Sequence, residues 1–301
     1  MQKLIDEIIA LKKSSGALVL AHNYVPAEVQ DIADFTGDSL ELSLKARDCK
    51  AELIVFCGVS FMAESAKILS PDSTVLLPVP DAGCLMADMA PAEEVKAARA
   101  ADPEAIFVAY VNTTAATKAC VDICCTSANA DKVVASLPEG KRVLFLPDRN
   151  LGRNVAEKVE REYKFWDGCC PIHDKITPEM ILAARAAHPG CPVIIHPECR
   201  PEVLKLADYA ASTGKMLAII KNDPAEGFII ATEEGILHRM NKEFPDKKFY
   251  ALSPCVICQD MKKITLESVR DALKFRQFEV KLDAEIIERA RLPIERMLDL
   301  K

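Results

Sequence analysis

The chain has 301 residues, half of them apolar, with 38 Lys and Arg against 45 Asp and Glu for a net charge of -7. That length allows two or three domains with a sizeable buried core. The charged fraction argues against a disordered chain, and the acidic balance argues against non-specific nucleic-acid binding, because nothing offsets phosphate repulsion.

In chain order, MQKLIDEIIALKK reads as an amphipathic helix and not a signal peptide, since Asp6 and Glu7 interrupt its apolar stretch. No apolar run approaches the roughly 20 residues that span a bilayer. A cytoplasmic protein without membrane contact is expected. ALVLA (17–21), LIVFC (53–57) and TVLLP (74–78) read as buried parallel strands. Helical stretches at 40–49 and 63–69 separate them. Further strands are expected near 106–110, 143–147, 193–196 and 228–231, and the tail 264–301 reads as helical, interrupted by Pro293. This alternation is that of an α/β protein.

A threefold repeat underlies it. The 19-residue segments AHNYVPAEVQDIADFTGDS (21–39), AYVNTTAATKACVDICCTS (109–127) and IHPECRPEVLKLADYAAST (195–213) each follow an apolar run. Each opens on a polar cluster: His22-Asn23-Tyr24, Tyr110-Val111-Asn112, His196-Pro197-Glu198. Each ends on a hydroxyl: Ser39, Ser127, Thr213. Offsets of 88 and 86 residues relate His22, Tyr110 and His196, while 86 and 88 relate Cys84, Cys170 and Cys258. Three homologous α/β/α units with parallel sheets follow, at 1–87, 88–174 and 175–259, arranged about a pseudo-threefold axis. A C-terminal helical segment, 260–301, is expected to pack on the first.

Ligands of parallel α/β sheets bind beyond the carboxyl ends of the strands. Three units about one axis would therefore bring the polar clusters together, and with them three of the twelve cysteines. Three converging thiolates suit zinc with an open position or an iron–sulfur cluster with one iron free. A free iron could act as a Lewis acid. A non-enzymatic cluster protein, sensing oxygen or carrying electrons, is the reading from another class. Cys255-x-x-Cys258 alone would suggest a redox pair, and of the adjacent pairs Cys124-Cys125 and Cys169-Cys170 at most one member can face a site. Cys49, Cys57, Cys120, Cys191 and Cys199 read as structural.

Ser39, Ser127 and Thr213 read as helix N-caps, whose helix ends would favour anions. His22, His196 and Glu198 are acid–base candidates, on the expectation that histidine titrates near neutrality and that burial raises a carboxyl pKa. Tyr24 and Tyr110 could donate hydrogen bonds or protons.

AHNYVPAEVQDIADFTGDSL, PDAGCLMADM, AYVNTTAATKA with CTSAN, LPDRNLGRNVA, Trp166-Asp167-Gly168 through Cys170-Pro-Ile-His173, HPEC, LADYAASTGKM and CxxCxxMKKITL resemble the A-type quinolinate synthase family over about 17–272. The resemblance implies a [4Fe-4S] cluster on the axis, held by Cys84, Cys170 and Cys258 with one iron open. It implies condensation of iminoaspartate with dihydroxyacetone phosphate to quinolinate, phosphate and water. It also implies substrate contacts from His22, Ser39, Tyr110, Val111, Asn112, Ser127, His196, Pro197, Glu198 and Thr213. Val111 and Pro197 could offer only backbone and apolar contact. Glu198 is expected as principal acid–base group, with Tyr24, Tyr110 and His22 assisting. A transient contact with an L-aspartate oxidase or dehydrogenase would deliver the unstable imine.

Overall fold

The computed structural model describes residues 1–300. Lys301, the end of the expected tail, lies outside the described residues. Twelve strands form three separate four-stranded sheets, all parallel. The first holds β1 (Leu18–His22), β2 (Phe35–Gly37), β3 (Leu53–Cys57) and β4 (Thr74–Leu76) in the order β2-β1-β3-β4. The second holds β5 (Ile106–Tyr110), β6 (Ile123–Cys125), β7 (Val143–Leu146) and β8 (Tyr163–Phe165) in the order β6-β5-β7-β8. The third holds β9 (Val193–Ile195), β10 (Tyr209–Ala210), β11 (Gly227–Ala231) and β12 (Lys248–Ala251) in the order β10-β9-β11-β12. The apolar runs at 17–21, 53–57, 106–110, 143–147, 193–196 and 228–231 became the central strands, since a strand covered on both faces needs no polar side, while the run at 74–78 became the edge strand β4. In the third sheet Val193, Ile195, Ile229 and Ala231 fill one core, while Ile194, Phe228 and Ile230 fill the other.

One device recurs in all three units. Asp34, Asp122 and Asp208 each stand just before the short strand beside the central one. Each accepts the backbone N–H of a residue 15 positions earlier: Val19 at 2.8 Å, Phe107 at 2.7 Å and Val193 at 2.8 Å. Each also pairs with a base from the preceding helix: Lys12 at 2.9 Å, Arg99 at 2.7 Å and Arg185 at 2.8 Å. The aspartates sit 88 and 86 residues apart. The same buckle, repeated at the repeat's own offsets, marks three homologous units.

The tail departs from expectation at Pro293. It breaks at 276–283, where Arg276 and Phe278 take left-handed φ values of 46° and 63°. The helix Ala284–Asp299 runs through Pro293 without ending. Proline removes one helical hydrogen bond. Ala290, Ile294, Met297 and Leu298 are buried on the same helix, and that packing holds it together. This helix lies against β6 and the helix Ala115–Lys118 of the second unit, and against the helix Ser60–Leu69 of the first. The helix Leu266–Phe275 lies on the N-terminal helix Gln2–Ser15. Between them, Val280 N–H bonds Val75 O at 2.8 Å and Leu77 N–H bonds Phe278 O at 3.0 Å, which covers the open edge of β4.

No helix among the described residues is long and apolar enough to cross a membrane.

Candidate active site

The carboxyl ends of the three sheets meet on one cavity of about 280 Å³. His22 ends β1, Tyr110 ends β5 and His196 follows β9. All three line the cavity, with Tyr24, Asn112 and Glu198 two residues further on. Ser39, Ser127 and Thr213 line it as well. Of the twelve cysteines, Cys84, Cys170 and Cys258 line it, and all twelve are free of disulfides. Val111 and Pro197 do not. Val111 faces a small neighbouring cavity with Phe61 and Met62. The Pro197 carbonyl accepts from Asn154 Nδ2 at 2.8 Å.

The hydroxyls are not caps. Asp38 caps the helix Ser39–Asp48, Asn129 precedes the helix Ala130–Ala135, and Ser212 caps the helix Thr213–Asn222. Ser39 and Thr213 are thus first helical residues. The cap's polar atom is spent on backbone N–H groups; with that duty on the preceding residue, Thr213 Oγ1 instead accepts from Asn23 Nδ2 at 2.9 Å. Asp38 does more than cap its own helix. Its Oδ1 accepts from the N–H groups of Leu40 and Glu41, both at 3.0 Å, and its Oδ2 accepts from Ser212 Oγ at 3.2 Å and Gly214 N–H at 3.3 Å. One carboxylate therefore serves two helix N-termini, from the first and third units. A Cβ at Gly214 would lie 2.8 Å from that Oδ2, so the approach needs glycine.

Each lining cysteine hangs from its sheet by the same tie. The carbonyl two residues before it accepts a backbone N–H from the segment that leads into the helix after its unit's second central strand: the first helical residue in two units and Glu234, two positions earlier, in the third. The bonds are Ser60 N–H to Ala82 O at 2.9 Å, Arg149 N–H to Gly168 O at 2.8 Å, and Glu234 N–H to Val256 O at 3.3 Å. Each cysteine carbonyl then starts one helical turn, accepting the N–H four residues on: Asp88 at 3.2 Å, Asp174 at 2.9 Å, Lys262 at 3.2 Å. This register fixes Cys170 against its neighbour Cys169, and Cys258 against Cys255.

The turns aim amide groups at the sulfurs. Burial pushes the Cys84 thiol up to about 12, opposed by the N–H groups of Ala87 and Met86 and reinforced by Cys258 and Glu198. Burial, Glu198 and Cys84 push Cys170 up, and the His173 N–H opposes them. Burial pushes Cys258 up, opposed first by the Met261 N–H. Cys84 thus senses the charge of Cys258, and Cys170 that of Cys84. Three thiolates sharing a buried space need a cation to stay charged, and the amides around each sulfur favour the thiolate. The donor set fits an iron–sulfur cluster.

Cys170, His173 and Glu198 do bring donor atoms within 4.8 Å. His173 Nδ1 lies 2.6 Å from Glu198 Oε2 and 3.2 Å from Cys170 Sγ. The 2.6 Å contact is a hydrogen bond, shorter than the roughly 3.3 Å between two ligands at zinc distances. Tyr110 Oη donates to Glu198 Oε1 at 2.5 Å, His173 Nε2 meets Thr232 Oγ1 at 2.8 Å, and Thr232 Oγ1 meets Tyr24 Oη at 2.6 Å. Residues of all three units thus form one buried chain.

This network corrects two expectations about ionisation. Burial alone would push the Glu198 carboxyl up, but His173 and His196 beside it, with hydrogen bonds from His173 and Tyr110, hold it below the usual range. Burial pushes His22 and His196 down to about 3, against the charge of Glu198. Both histidines are neutral where they were expected to titrate. Burial and Glu198 push the phenols of Tyr24 and Tyr110 well up.

The matching family model, quinolinate synthetase A protein, covers residues 6–299. The chain belongs to the quinolinate synthetase A family. It is 54 % identical over 297 residues to a quinolinate synthase of Methanoregula boonei, covering 99 % of this chain and 98 % of that one. Identity to a quinolinate synthase of Desulforudis audaxviator is 50 % over 298 residues, covering 99 % and 98 %. It is 47 % over 301 residues with one of Caldicellulosiruptor saccharolyticus, covering 100 % and 99 %. The quinolinate synthetase A family is one of enzymes, and the cavity is the candidate active site.

Sequence reasoning missed Thr232, Asp38, Glu233 and Lys262, and gave His173 no role at the site. Glu233 and Asp148 occupy matching places after the second central strand of their units, which is the one signal that could have singled them out. Thr232 and Lys262 carry none, because their partners lie far along the chain.

Proposed function

We propose that the protein is a quinolinate synthase, condensing iminoaspartate with dihydroxyacetone phosphate to quinolinate, phosphate and water. The observation that carries this is the threefold backbone tie that sets Cys84, Cys170 and Cys258, and no other cysteine, on one cavity. Those three would hold a [4Fe-4S] cluster on a pseudo-threefold axis. When bound, it supplies one Lewis-acidic iron for substrate oxygens.

The chain's own groups account for the rest. Ser39, Ser127 and Thr213 bring hydroxyls to the cavity for anionic substrate groups, with Ser127 held by His196 and Thr213 by Asn23. Asn112 Oδ1 is buried without a hydrogen-bond partner, which suits an acceptor reserved for substrate. His22 and His196 present neutral N–H donors. Glu198, held ionised, takes a proton from the substrate carbon skeleton, and Tyr110 and Tyr24 deliver protons to leaving oxygens. Val111 and Pro197 stand behind this surface and shape it through the backbone. Units of 1–87, 88–174 and 175–259 with a C-terminal segment, a cytoplasmic setting, and transient delivery of the imine by an L-aspartate oxidase or dehydrogenase complete the reading.

Purification without oxygen, with iron, acid-labile sulfide and zinc counted per chain, tests it. About four irons and four sulfides, with quinolinate formed from the two substrates, are expected. Zinc near one per chain without sulfide after anaerobic reconstitution would refute the cluster and the mechanism with it.

A further inference from the structure

The third unit differs from the others beside its cysteine. Lys262 stands four residues after Cys258, as Asp88 does after Cys84 and Asp174 after Cys170. Glu233 stands where the second unit has Asp148 and the first has Gly58. Glu233 is 0 % exposed. Its Oε2 accepts the Gly235 N–H at 2.7 Å, and its Oε1 accepts the Cys258 N–H at 3.2 Å and pairs with Lys262 Nζ at 2.8 Å. Lys262 Nζ also donates to the Tyr24 carbonyl at 2.7 Å. A Cβ at Gly235 would lie 2.8 Å from Tyr24 Cα and O, so the two loops touch through glycine. One ion pair, buried at Glu233 and half-buried at Lys262, thereby joins the Cys258 backbone of the third unit to the Tyr24 backbone of the first.

We propose that Glu233 and Lys262 are positioning residues for the cluster corner at Cys258, an inference that rests on the cluster reading above. Glu233 fixes the cysteine's amide and so the direction of its sulfur. Lys262 holds that carboxylate in place through the 2.8 Å ion pair, and removing one partner of such a pair leaves the other uncompensated. It also holds Tyr24 at a set distance from the same corner. Neither residue needs to touch substrate.

The test uses the full-length chain with Lys262→Met, the near-isosteric Glu233→Gln and the conservative Lys262→Arg. The first readout needs no cluster: alkylation of the metal-free chain by iodoacetamide, with Cys84, Cys170 and Cys258 followed separately by peptide mapping. Losing a charged hydrogen bond exposes Cys258 about tenfold faster in Lys262→Met and Glu233→Gln, with Cys84 and Cys170 unchanged and Lys262→Arg near wild type. After anaerobic reconstitution, the first two variants should release iron to a chelator about tenfold faster, with an altered electron paramagnetic resonance signal of the reduced cluster. Unchanged Cys258 alkylation in both variants would overturn the proposal. So would an equal rise at all three cysteines, which marks general loosening. If wild-type protein binds no iron, the cluster reading fails, and the alkylation result still decides whether the pair sets Cys258.

Discussion

His22 and His196 turn the same ring nitrogen back onto the chain: each Nδ1 accepts the backbone N–H two residues on, from Tyr24 at 3.2 Å and from Glu198 at 3.3 Å. The bond fixes the tautomer, because a neutral ring that accepts at Nδ1 carries its proton on Nε2. His196 Nε2 accordingly donates to Ser127 Oγ at 3.3 Å. The two outer units thus present matched, uncharged N–H donors to one cavity.

This arrangement predicts how metal-free protein responds to acid. Both histidines sit near 3 when folded and about 6.5 when unfolded. As pH falls below about 6.5, the unfolded chain gains protons the folded chain refuses. Stability should drop by about 1.4 kcal/mol per pH unit per histidine, until the folded values are reached. Above neutrality these groups add no pH dependence. Urea titrations at several pH values measure the slope, and His22→Gln should remove about half of it. An unaltered slope in that variant would refute the assignment.

Glu198→Gln should leave iron and sulfide content intact and lower kcat at least about 100-fold, the usual contribution of a positioned acid–base group. The amide cannot take a proton, although it keeps much of the carboxylate's shape. Near-normal turnover with a full cluster would remove Glu198 from the mechanism.

Single Ala replacements at Cys84, Cys170 or Cys258 should each abolish stable iron binding after reconstitution. The same change at Cys169 or Cys255 should not, because the backbone tie puts those residues out of register. A Cβ at Gly168 would meet the Pro147 carbonyl at 2.5 Å. Gly168→Ala should therefore shift the loop that bears Cys170 and lower iron occupancy, read as iron per chain.

Asp38→Ala should destabilise the fold by about 2 kcal/mol, combining one lost cap with lost bonds to the third unit. Asp38→Asn, which keeps an accepting oxygen, should lose less. Urea unfolding at pH 7 distinguishes them, and equal stability of Asp38→Ala and wild type would show that the junction contributes nothing.

Much of this protein was fixed by local pattern. The apolar runs at 17–21, 53–57, 106–110 and 143–147 became central strands because burial on both faces needs only continuous hydrophobicity. The offsets of 86 and 88 residues selected Cys84, Cys170 and Cys258 because repeats that fold alike place equivalent residues alike. Only the tertiary structure decided the rest. β2, β6 and β10 hold three, three and two residues, too few for any periodicity, and they exist because a neighbouring strand offers its edge. Pro293 sits within a helix because packing outweighs one lost hydrogen bond. The hydroxyls are not caps because Asp38 and Ser212 take that duty for two of the helices, and the third helix starts only after Asn129. Lys262 meets Tyr24 across 238 positions of chain, and His173 meets Thr232 across 59. Such contacts depend on how whole sheets are set against one another, and the energy that sets them lies in buried surface and not in any neighbouring residue.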